Sequence, residues 1–353
     1  MSEEVPPQSL AALADRVEKR IDTFLEEEQR RWETVDPALG EAVSSLRAVI
    51  GAGGKRLRPA FCHWGFVAAG GDPSDPAVTD AGAALELLHT CAVVHDDIID
   101  GGTFRHGRPC LHVEYAERHQ QQGGRGEARR FGEGAALLVG DLALVYGDTL
   151  ISGVNRSALG VYNDLRIEVN MGQFLDLTTT ASGNASLARA HAICVYKSGK
   201  YTVERPLHLG AGLTGRLDEL CRPLSAFGLP LGEAFQLRDD LLGAFGDGQL
   251  LGKGVGEDFR EAKPTALFAA ALERANDSER GTLDRLYGVP ELTHGEVAEL
   301  QELLVRTGAR AYVEARIHAL LEESRVALEV APITEQARRE LGELATYVVG
   351  RDR

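Results

Sequence analysis

The stretch ELLHTCAVVHDDIIDGGTFRHGR (residues 86–108) governs the interpretation of the whole chain. An apolar segment of helical character leads to three carboxylates, Asp96, Asp97 and Asp100, and a Gly-Gly pair then ends the helix. On a helix, Asp96 and Asp100 lie one turn apart and project from the same face. Apolar surroundings would raise the pKa of both carboxylates unless a cation lies between them. The pattern therefore favours Mg²⁺, which takes one or two carboxylates and leaves its other positions to water and phosphate. The alternative is a solvated acidic helix end.

A second acidic pair, Asp239-Asp240, lies far along the chain in another apolar helical segment, QLRDDLLGAFGD (236–247). One acidic pair on a helix is weak evidence for a metal site. Two pairs, each followed by a glycine-rich loop, are much stronger evidence. Two such helix ends facing each other across a bundle would hold metal between them.

Closely spaced cations follow two glycines in GGKRLRP (53–59). The segment is not a P-loop, because its lysine precedes no Ser or Thr and its glycine spacing differs. Backbone N–H groups at a helix start and a guanidinium fork nevertheless suit a diphosphate. The simpler alternative is a solvated basic turn. Lys197, Lys253 and Lys263 each lie near Gly or Pro, and each alone could equally be a surface lysine.

The composition is that of a soluble globular chain. It has 353 residues, 44% apolar and 26% charged, with a net charge of −15, which argues against nucleic acid or an anionic membrane as the main partner. Five scattered cysteines without a CxxC pair indicate reduced thiols. The start, MSEEVPPQ, lacks a signal-peptide pattern, and no apolar run approaches the roughly 20 residues of a membrane span. We therefore expect a cytoplasmic protein without a membrane span.

The periodicity predicts an all-α fold. Apolar residues recur at helical spacing from about Leu10 to Val349, and strand-type alternation is nearly absent. We expect a disordered N-terminus at residues 1–8 and a single large helical bundle over residues 9–353. Residues 101–131, polar and rich in Gly, Gln and Arg, are expected to form a long mobile loop that could act as a lid.

Several motifs, taken in order, resemble those of the trans-polyprenyl diphosphate synthases, the isoprenoid chain-elongation family. They are GGKRLRP, LLHTCAVVHDDIID with R-x-G-R-P, YKSGKY, FQLRDDLL, GKGVGED and KPT. The resemblance runs from about residue 40 to the C-terminus, and the polar loop and LVGDLAL (138–144) look like the bacterial geranylgeranyl-type members. It implies the isoprenoid synthase type of bundle with a central cavity, Mg²⁺ as the cofactor, and a homodimer.

The resemblance also implies roles for individual residues. The family's positions that bind the diphosphate of isopentenyl diphosphate are occupied here by Lys55, Arg58 and His89. Its Mg²⁺-ligand positions are occupied by Asp96, Asp100 and Asp239, with Asp97 and Asp240 beside them. Its positions that bind the allylic diphosphate are occupied by Arg105, Lys197, Ser198, Gln236, Lys253 and Lys263.

The implied reaction condenses isopentenyl diphosphate head-to-tail with an allylic diphosphate: dimethylallyl, geranyl or farnesyl. Breaking the allylic carbon–oxygen bond leaves negative charge on the diphosphate, which Mg²⁺ and fixed cations stabilise. Because no residue is an obvious base, we assign proton removal to the bound diphosphate.

The resemblance implies that product length depends on the residues just before Asp96. The small Cys91 and Ala92 would form the floor of the chain pocket, with Leu88 as the next candidate. A helical turn rises about 5.4 Å, roughly one isoprene unit. An open floor therefore lets the product pass the farnesyl length, and we predict geranylgeranyl diphosphate.

Two positions depart from the family pattern. His106 replaces the second arginine of Arg-Arg-Gly, which helps to hold isopentenyl diphosphate, and Gly243 replaces the last aspartate of Asp-Asp-x-x-Asp, with Asp247 one turn on. These departures keep open a non-catalytic subunit that modulates another synthase. A class I terpene cyclase is the other alternative. It would need Asn-Asp-x-x-Ser-x-x-x-Glu, and the nearest string, from Asn163, lacks the serine and the glutamate.

Overall fold

The computed structural model describes residues 6–105, 107–246 and 256–350, and these are almost entirely helical. The predicted all-α class is confirmed. The helices before the second aspartate motif are α1 (Gln8–Glu33), α2 (Pro37–Gly51), α3 (Leu57–Ala68), α4 (Pro76–Ile99), α5 (Leu111–Gln121), α6 (Ala128–Ile151), α7 (Arg156–Ser182), α8 (Leu187–Ile193), the π-helix π1 (Cys194–Glu204) and α9 (Arg205–Leu213). The rest are α10 (Leu217–Phe245), α11 (Glu257–Arg260), α12 (Ala266–Arg274), α13 (Asp277–Leu286), α14 (His294–Arg306), α15 (Ala309–Val330) and α16 (Glu335–Gly350). The expected disordered stretch, residues 1–8, overlaps the start of α1, and residues 1–5 lie outside the described part.

The chain groups into two compact units. The N-terminal unit comprises Gln8–His63 and Pro73–Asn155, and the C-terminal unit comprises Trp64–Asp72 and the described residues from Arg156 onward. A single domain over residues 9–353 stays a prediction.

The core of the N-terminal unit forms where α4 packs against α6, with α1 and α2 alongside. Asp75 caps α4 by accepting a hydrogen bond from the Ala77 N–H at 2.9 Å, and Pro76 suits the first helical turn. The helix is apolar on most of its faces and contributes the fully buried Leu85 and Leu87. This packing fixes the direction of the helix that carries the first aspartate motif.

Two helices of this unit, α4 and α6, are long and apolar enough to cross a membrane by length and composition alone. The most apolar window is 67% buried in α4 and 39% buried in α6. Core helices of globular proteins pass the same test, and these two pack on each other, so the finding is weak evidence for a membrane span.

The expectation of one long loop over residues 101–131 is wrong. A short antiparallel hairpin, β1 (Phe104–Arg105) with β2 (Arg108–Pro109), is followed by the eleven-residue helix α5. Leu111 and Tyr115 lie one helical turn apart and are buried against α6, and the Tyr115 hydroxyl donates to Ser45 Oγ at 3.0 Å. The polar composition of α5 obscured this narrow apolar stripe.

In the C-terminal unit, α10 packs against α15 and π1, and π1 also packs against α7. Close backbone approach requires glycine at two positions. A Cβ at Gly232 on α10 would lie 2.6 Å from Gly199 Cα in π1, and a Cβ at Gly172 on α7 would overlap the backbone of Lys197. These contacts hold the YKSGKY segment between two long helices.

Candidate active site

The predicted site residues divide between the two units. The N-terminal unit contains Lys55, Arg58, Leu88, His89, Cys91, Ala92, Asp96, Asp97, Asp100 and Arg105. The C-terminal unit contains Lys197, Ser198, Gln236, Asp239, Asp240 and Lys263. His106, Asp247 and Lys253 lie outside the described residues.

The first aspartate motif sits at the C-terminal end of α4. Asp96 and Asp100 are half-buried, and the Asp100 N–H closes the last turn by donating to the Asp96 carbonyl at 2.8 Å. Asp97, between them in the sequence, is only 6% exposed. The two outer carboxylates therefore share a face, as the spacing predicts, whereas the middle one is turned into the protein.

The β1–β2 hairpin returns Arg105 to this helix end. Its Nε donates to Asp97 Oδ1 at 2.7 Å, and its Nη2 lies 2.6 Å from the same oxygen. Burial acts to lower the pKa of Arg105, but the hydrogen bond to Asp97 and the charges of Asp97 and Asp96 outweigh it and raise that pKa. Asp97 thus fixes a permanent cation beside Asp96 and Asp100.

The candidate diphosphate-binding cations lie on the loop between α2 and α3, in the first turn of α3 and on α4. Lys55 and Arg58 are half-buried, and His89 is half-buried two helical turns before Asp96. The intervening Arg56 is buried and has φ of 49°. The buried Arg56 therefore lies between the partly exposed Lys55 and Arg58 in the sequence.

The predicted product floor is packed and apolar. Cys91 is 7% exposed and belongs to the same core cluster as Leu87, Val139 and Ala143. Burial raises the pKa of the Cys91 thiol to about 12, with the charge of Asp141 adding to the rise. The thiol is therefore neutral and behaves as a small apolar group.

The second acidic pair lies near the C-terminal end of α10. Asp239 is half-buried, while Asp240 is 6% exposed and accepts a hydrogen bond from Gln236 Nε2 at 2.8 Å. Burial raises the pKa of Asp240 to about 8, and the charges of Asp258 and Asp239 add to the rise, against the opposing hydrogen bond from Gln236. A cation bound close by would stabilise the charged form of the Asp240 carboxyl group.

The missing third carboxylate of this motif has a structural counterpart. A Cβ at Gly243 would overlap Oδ2 of Asp258, so the carboxylate of Asp258 on α11 fills the space beside position 243. The sequence alone did not indicate Asp258, because it lies on a different element after the glycine-rich loop. Its place two residues after Gly256, in the GKGVGED string, was the available signal.

The lysines of the C-terminal unit have defined positions. Lys197 in π1 forms an ion pair with Asp176 on α7, with Nζ 2.5 Å from Oδ2. Asp176 is 5% exposed and was missed at the sequence level, where an acidic residue on the inner face of α7 was the only signal. Lys263 is held through its backbone, since its N–H donates to the Asp258 carbonyl at 3.0 Å and its carbonyl accepts from the Tyr287 hydroxyl.

The donor set fits Mg²⁺ in one specific sense. Within the described residues, no three Asp, Glu, His or Cys side chains lie close enough to hold a metal by themselves. Mg²⁺ needs only one or two carboxylates when phosphate oxygens and water complete its octahedron. Asp96 with Asp100, and Asp239 with Asp240, each offer that number of hard oxygen donors.

Comparison with known proteins agrees with the sequence motifs and the fold. The polyprenyl synthetase family matches residues 41–304. A short chain isoprenyl diphosphate synthase of Methanothermobacter thermautotrophicus is 31% identical over 91% of this chain and 96% of its own length. A geranylgeranyl diphosphate synthase of Methanosarcina mazei is 27% identical over 94% and 98%.

A solved structure gives the same result. It is the geranylgeranyl pyrophosphate synthase of Corynebacterium glutamicum complexed with isoprenyl diphosphate and magnesium, which is 35% identical. The alignment has a TM-score of 0.90 and covers 96% of this chain and 98% of the other. The isoprenoid synthase fold is confirmed. The chain therefore belongs to the polyprenyl synthetase family and is a trans-prenyltransferase of the prenyl diphosphate synthase type.

Proposed function

We propose that this enzyme makes geranylgeranyl diphosphate by Mg²⁺-dependent, head-to-tail condensation of isopentenyl diphosphate with dimethylallyl, geranyl and farnesyl diphosphates. The observation that carries the proposal is the end of α4. There, Asp96 and Asp100 share a half-buried face beside Arg105, and the small Cys91 lies just before them on the same helix. The Corynebacterium relative, crystallised with isoprenyl diphosphate and magnesium, supports this assignment.

Each group of cations has a proposed task. Lys55, Arg58 and His89 hold the diphosphate of isopentenyl diphosphate, while Arg105 holds that of the allylic substrate. Lys197, Ser198, Gln236 and Lys263 belong to the allylic side, as does Lys253 by sequence. His106 stands where the family's second arginine helps to hold isopentenyl diphosphate, and we assign it to that substrate. Asp97 and Asp176 hold Arg105 and Lys197 in fixed positions, which lowers the cost of orienting a cation at the moment of reaction.

Metal binding is assigned to Asp96 and Asp100 in the N-terminal unit and to Asp239 in the C-terminal unit. Asp240 and Asp258 add negative charge close to Asp239. Bound Mg²⁺ would supply Lewis-acid stabilisation of the departing diphosphate. We assign to Asp258 the carboxylate that the family pattern places at position 243, because its side chain fills that space.

The bond changes follow from charge. The allylic carbon–oxygen bond breaks, and its electron pair stays on the diphosphate, where Arg105 and Lys197 stabilise the added charge. The double bond of isopentenyl diphosphate attacks the allylic carbon, and a proton then leaves the adjacent carbon to restore a double bond. We assign that proton to the departed diphosphate. The apolar lining contributed by Cys91 and Leu88 excludes water from the cation.

Two further properties belong to the proposal. We propose a homodimer, because α6 and α7 each carry a stripe of exposed large apolar side chains. The stripes are Phe131, Leu138 and Val145 on α6, and Ile167, Met171 and Phe174 on α7.

We also propose a cytoplasmic location, since no disulfide joins the five cysteines and four of them are buried within the described structure.

Incubating the purified chain with Mg²⁺, isopentenyl diphosphate and each allylic starter, and then sizing the products, tests the proposal. A C20 diphosphate from all three starters is expected. Cyclic hydrocarbons from an allylic diphosphate alone would instead indicate a terpene cyclase. Absence of product until a second synthase is added would indicate a modulating subunit. None of the similar proteins favours either alternative.

A further inference from the structure

The loop between α2 and α3 has an unusual backbone. α2 ends at Gly51 and α3 begins at Leu57, so only five residues join them. Gly53 and Gly54 have φ of 116° and 150°, and Arg56 has φ of 49°. Among the described residues, Arg56 and Ala262 are the two non-glycine residues with positive φ. A left-handed arginine is disfavoured on its own, so surrounding contacts must hold it there.

Those contacts come from the guanidinium of Arg56, whose side chain is 3% exposed. Nη1 donates to Glu86 Oε1 at 2.7 Å and to the Gly53 carbonyl at 3.2 Å. Nη2 donates to the Ile50 carbonyl at 2.7 Å, and Nε donates to Glu18 Oε1 at 3.0 Å. One fork thus joins α1, the end of α2, the loop itself and α4.

Each bond acts on the shape of the loop. The Ile50 carbonyl is one of the last in α2, so Nη2 places positive charge at the negative end of that helix. The bond to Gly53 closes the loop back on itself. A Cβ at Gly54 would overlap Nη1, so glycine is required where the guanidinium passes. The loop is therefore built around this one side chain.

The carboxylate of Glu86 completes the arrangement from α4. Its side chain is 5% exposed, and the ion pair with Arg56 is enclosed by protein. Lysine would keep the charge but could not satisfy carbonyls on two sides and a carboxylate at once, because it lacks the planar fork. Replacing Glu86 would leave a buried cation without its counter-charge.

We infer that Arg56 is a positioning residue for isopentenyl diphosphate. Through its ion pair with Glu86, it fixes the positions of Lys55, which precedes it in the loop, and of Arg58, in the first turn of α3. The inference rests on the proposed function of that loop. Arg56 does not touch the substrate, since its guanidinium is turned into the protein. It acts by holding the backbone between two partly exposed cations, so that a diphosphate meets both without reordering the loop.

The test compares Arg56→Lys with a matched control, Arg47→Lys. Arg47 on α2 also donates to a carboxylate on α1, with Nη2 2.6 Å from Asp22 Oδ1, but it lies away from the loop. For Arg56→Lys we expect the KM for isopentenyl diphosphate to rise at least tenfold while the KM for farnesyl diphosphate stays within twofold. Arg47→Lys should leave both KM values within twofold. Guanidinium ion added to Arg56→Ala should recover part of the lost affinity.

Other outcomes overturn the inference. Equal changes in both KM values, or unchanged KM values in a folded Arg56→Lys protein, would leave Arg56 with a structural role only. If Arg56→Lys does not fold, Glu18→Ala removes the half-exposed hydrogen-bond partner alone. A two- to fivefold rise in the same KM is then expected, and no rise refutes the claim.

Calorimetric binding of isopentenyl diphosphate without an allylic substrate separates this inference from the proposed function. If the unmodified chain binds isopentenyl diphosphate but forms no product, the proposed function is refuted. A weaker affinity of Arg56→Lys for isopentenyl diphosphate would then still support the role of Arg56, and an unchanged affinity would overturn it. Failure of the unmodified chain to bind would refute both.

Discussion

Cys91 is the residue to which we assign the control of product length. It lies just before the aspartate motif on α4, with its thiol neutral and packed against the core. Cys91→Phe should shorten the product from geranylgeranyl to farnesyl diphosphate or less, because the ring would fill about one isoprene length of the pocket. The added volume should also lower the free energy of unfolding by about 1–3 kcal/mol.

Product chain length measured by mass spectrometry checks this prediction, with Cys91→Ser as the size-matched control that keeps the C20 product. An unchanged product profile for the phenylalanine variant would refute the floor assignment.

A methyl group at position 243 should displace the carboxylate of Asp258. The overlapping atom is the end of the Asp258 side chain, which can rotate away, so Gly243→Ala should change the melting temperature little. It should nevertheless raise the Mg²⁺ concentration for half-maximal activity by about tenfold, because each 1.4 kcal/mol of lost carboxylate interaction is a factor of ten. Asp258→Asn should do the same, and the double variant should add little to either.

Gly281→Ala is the control for Gly243→Ala, since a Cβ at position 281 on α13 meets nothing within 4 Å. Additive effects of Gly243→Ala and Asp258→Asn would show that the two positions do not share a function.

His63 makes stability depend on pH. Burial, with a contribution from the charge of Arg16, lowers the pKa of His63 from 6.5 to about 4. The unfolded chain therefore binds a proton near pH 6.5 that the folded protein accepts only near pH 4. The free energy of unfolding should fall as the pH falls through this window, by up to about 3 kcal/mol from this residue.

Urea unfolding between pH 7 and pH 4 tests this. His63→Gln should remove that part of the slope, whereas His318→Gln, at an exposed position, should keep it. Equal slopes for the unmodified chain and His63→Gln would contradict the prediction.

The sequence was informative for residues whose neighbours are close in the chain. The shared face of Asp96 and Asp100 follows from helical spacing alone. The partners of Arg105 and Lys197 do not, since Asp97 reaches Arg105 only through the hairpin and Asp176 reaches Lys197 from another helix. Asp258 became visible only because its carboxylate fills the space beside Gly243.

At the level of elements, the apolar pattern of residues 217–245 predicts one long helix, and α10 spans Leu217–Phe245 despite its two internal prolines. α5 was missed because only Leu111 and Tyr115 mark its buried side. The π-helical geometry of π1 has no signal in apolar spacing. The sequence also contains no indication of its close backbone contacts with α7 at Gly172 and with α10 at Gly232.

The contact between π1 and α10 gives an element-scale prediction. At Gly232 a Cβ would meet backbone atoms of Gly199, which cannot rotate away. Gly232→Ala should therefore separate the two helices and lower the free energy of unfolding by about 1–3 kcal/mol. Chemical denaturation measures this, with Gly160→Ala on α7 as the control. A Cβ there meets nothing within 4 Å, and alanine should add about 0.5–1 kcal/mol. Equal stability of the two variants would refute the close contact.

For the whole molecule, the exposed apolar stripes predict an assembly. Leu138 on α6 is 70% exposed and Phe174 on α7 is 62% exposed, values that favour burial against a second copy. Leu138→Glu should weaken the homodimer by at least tenfold in dissociation constant, measured by sedimentation equilibrium. Val330→Glu, at an 80% exposed site near the end of α15, is the matched control and should leave the assembly unchanged. A monomeric unmodified chain would contradict the proposal.

The class of fold and the family were accessible from motif order, because each motif is a local string with its own chemistry. The site residues that the motifs predict stay a prediction. The division of contacts into two units was not accessible from motif order, since it depends on packing between distant segments. Asp96 and Arg105 lie in the N-terminal unit, while Asp239 and Lys197 lie in the C-terminal unit.

The proposed synthesis of geranylgeranyl diphosphate can be tested by mass spectrometry of the product that the purified chain forms from isopentenyl and farnesyl diphosphates. With Mg²⁺ present, we predict a C20 diphosphate as the main product, its formation abolished by chelation and restored by returning Mg²⁺. Full activity after chelation would contradict the proposed Mg²⁺ requirement, and no C20 diphosphate in the presence of Mg²⁺ would contradict the proposed product.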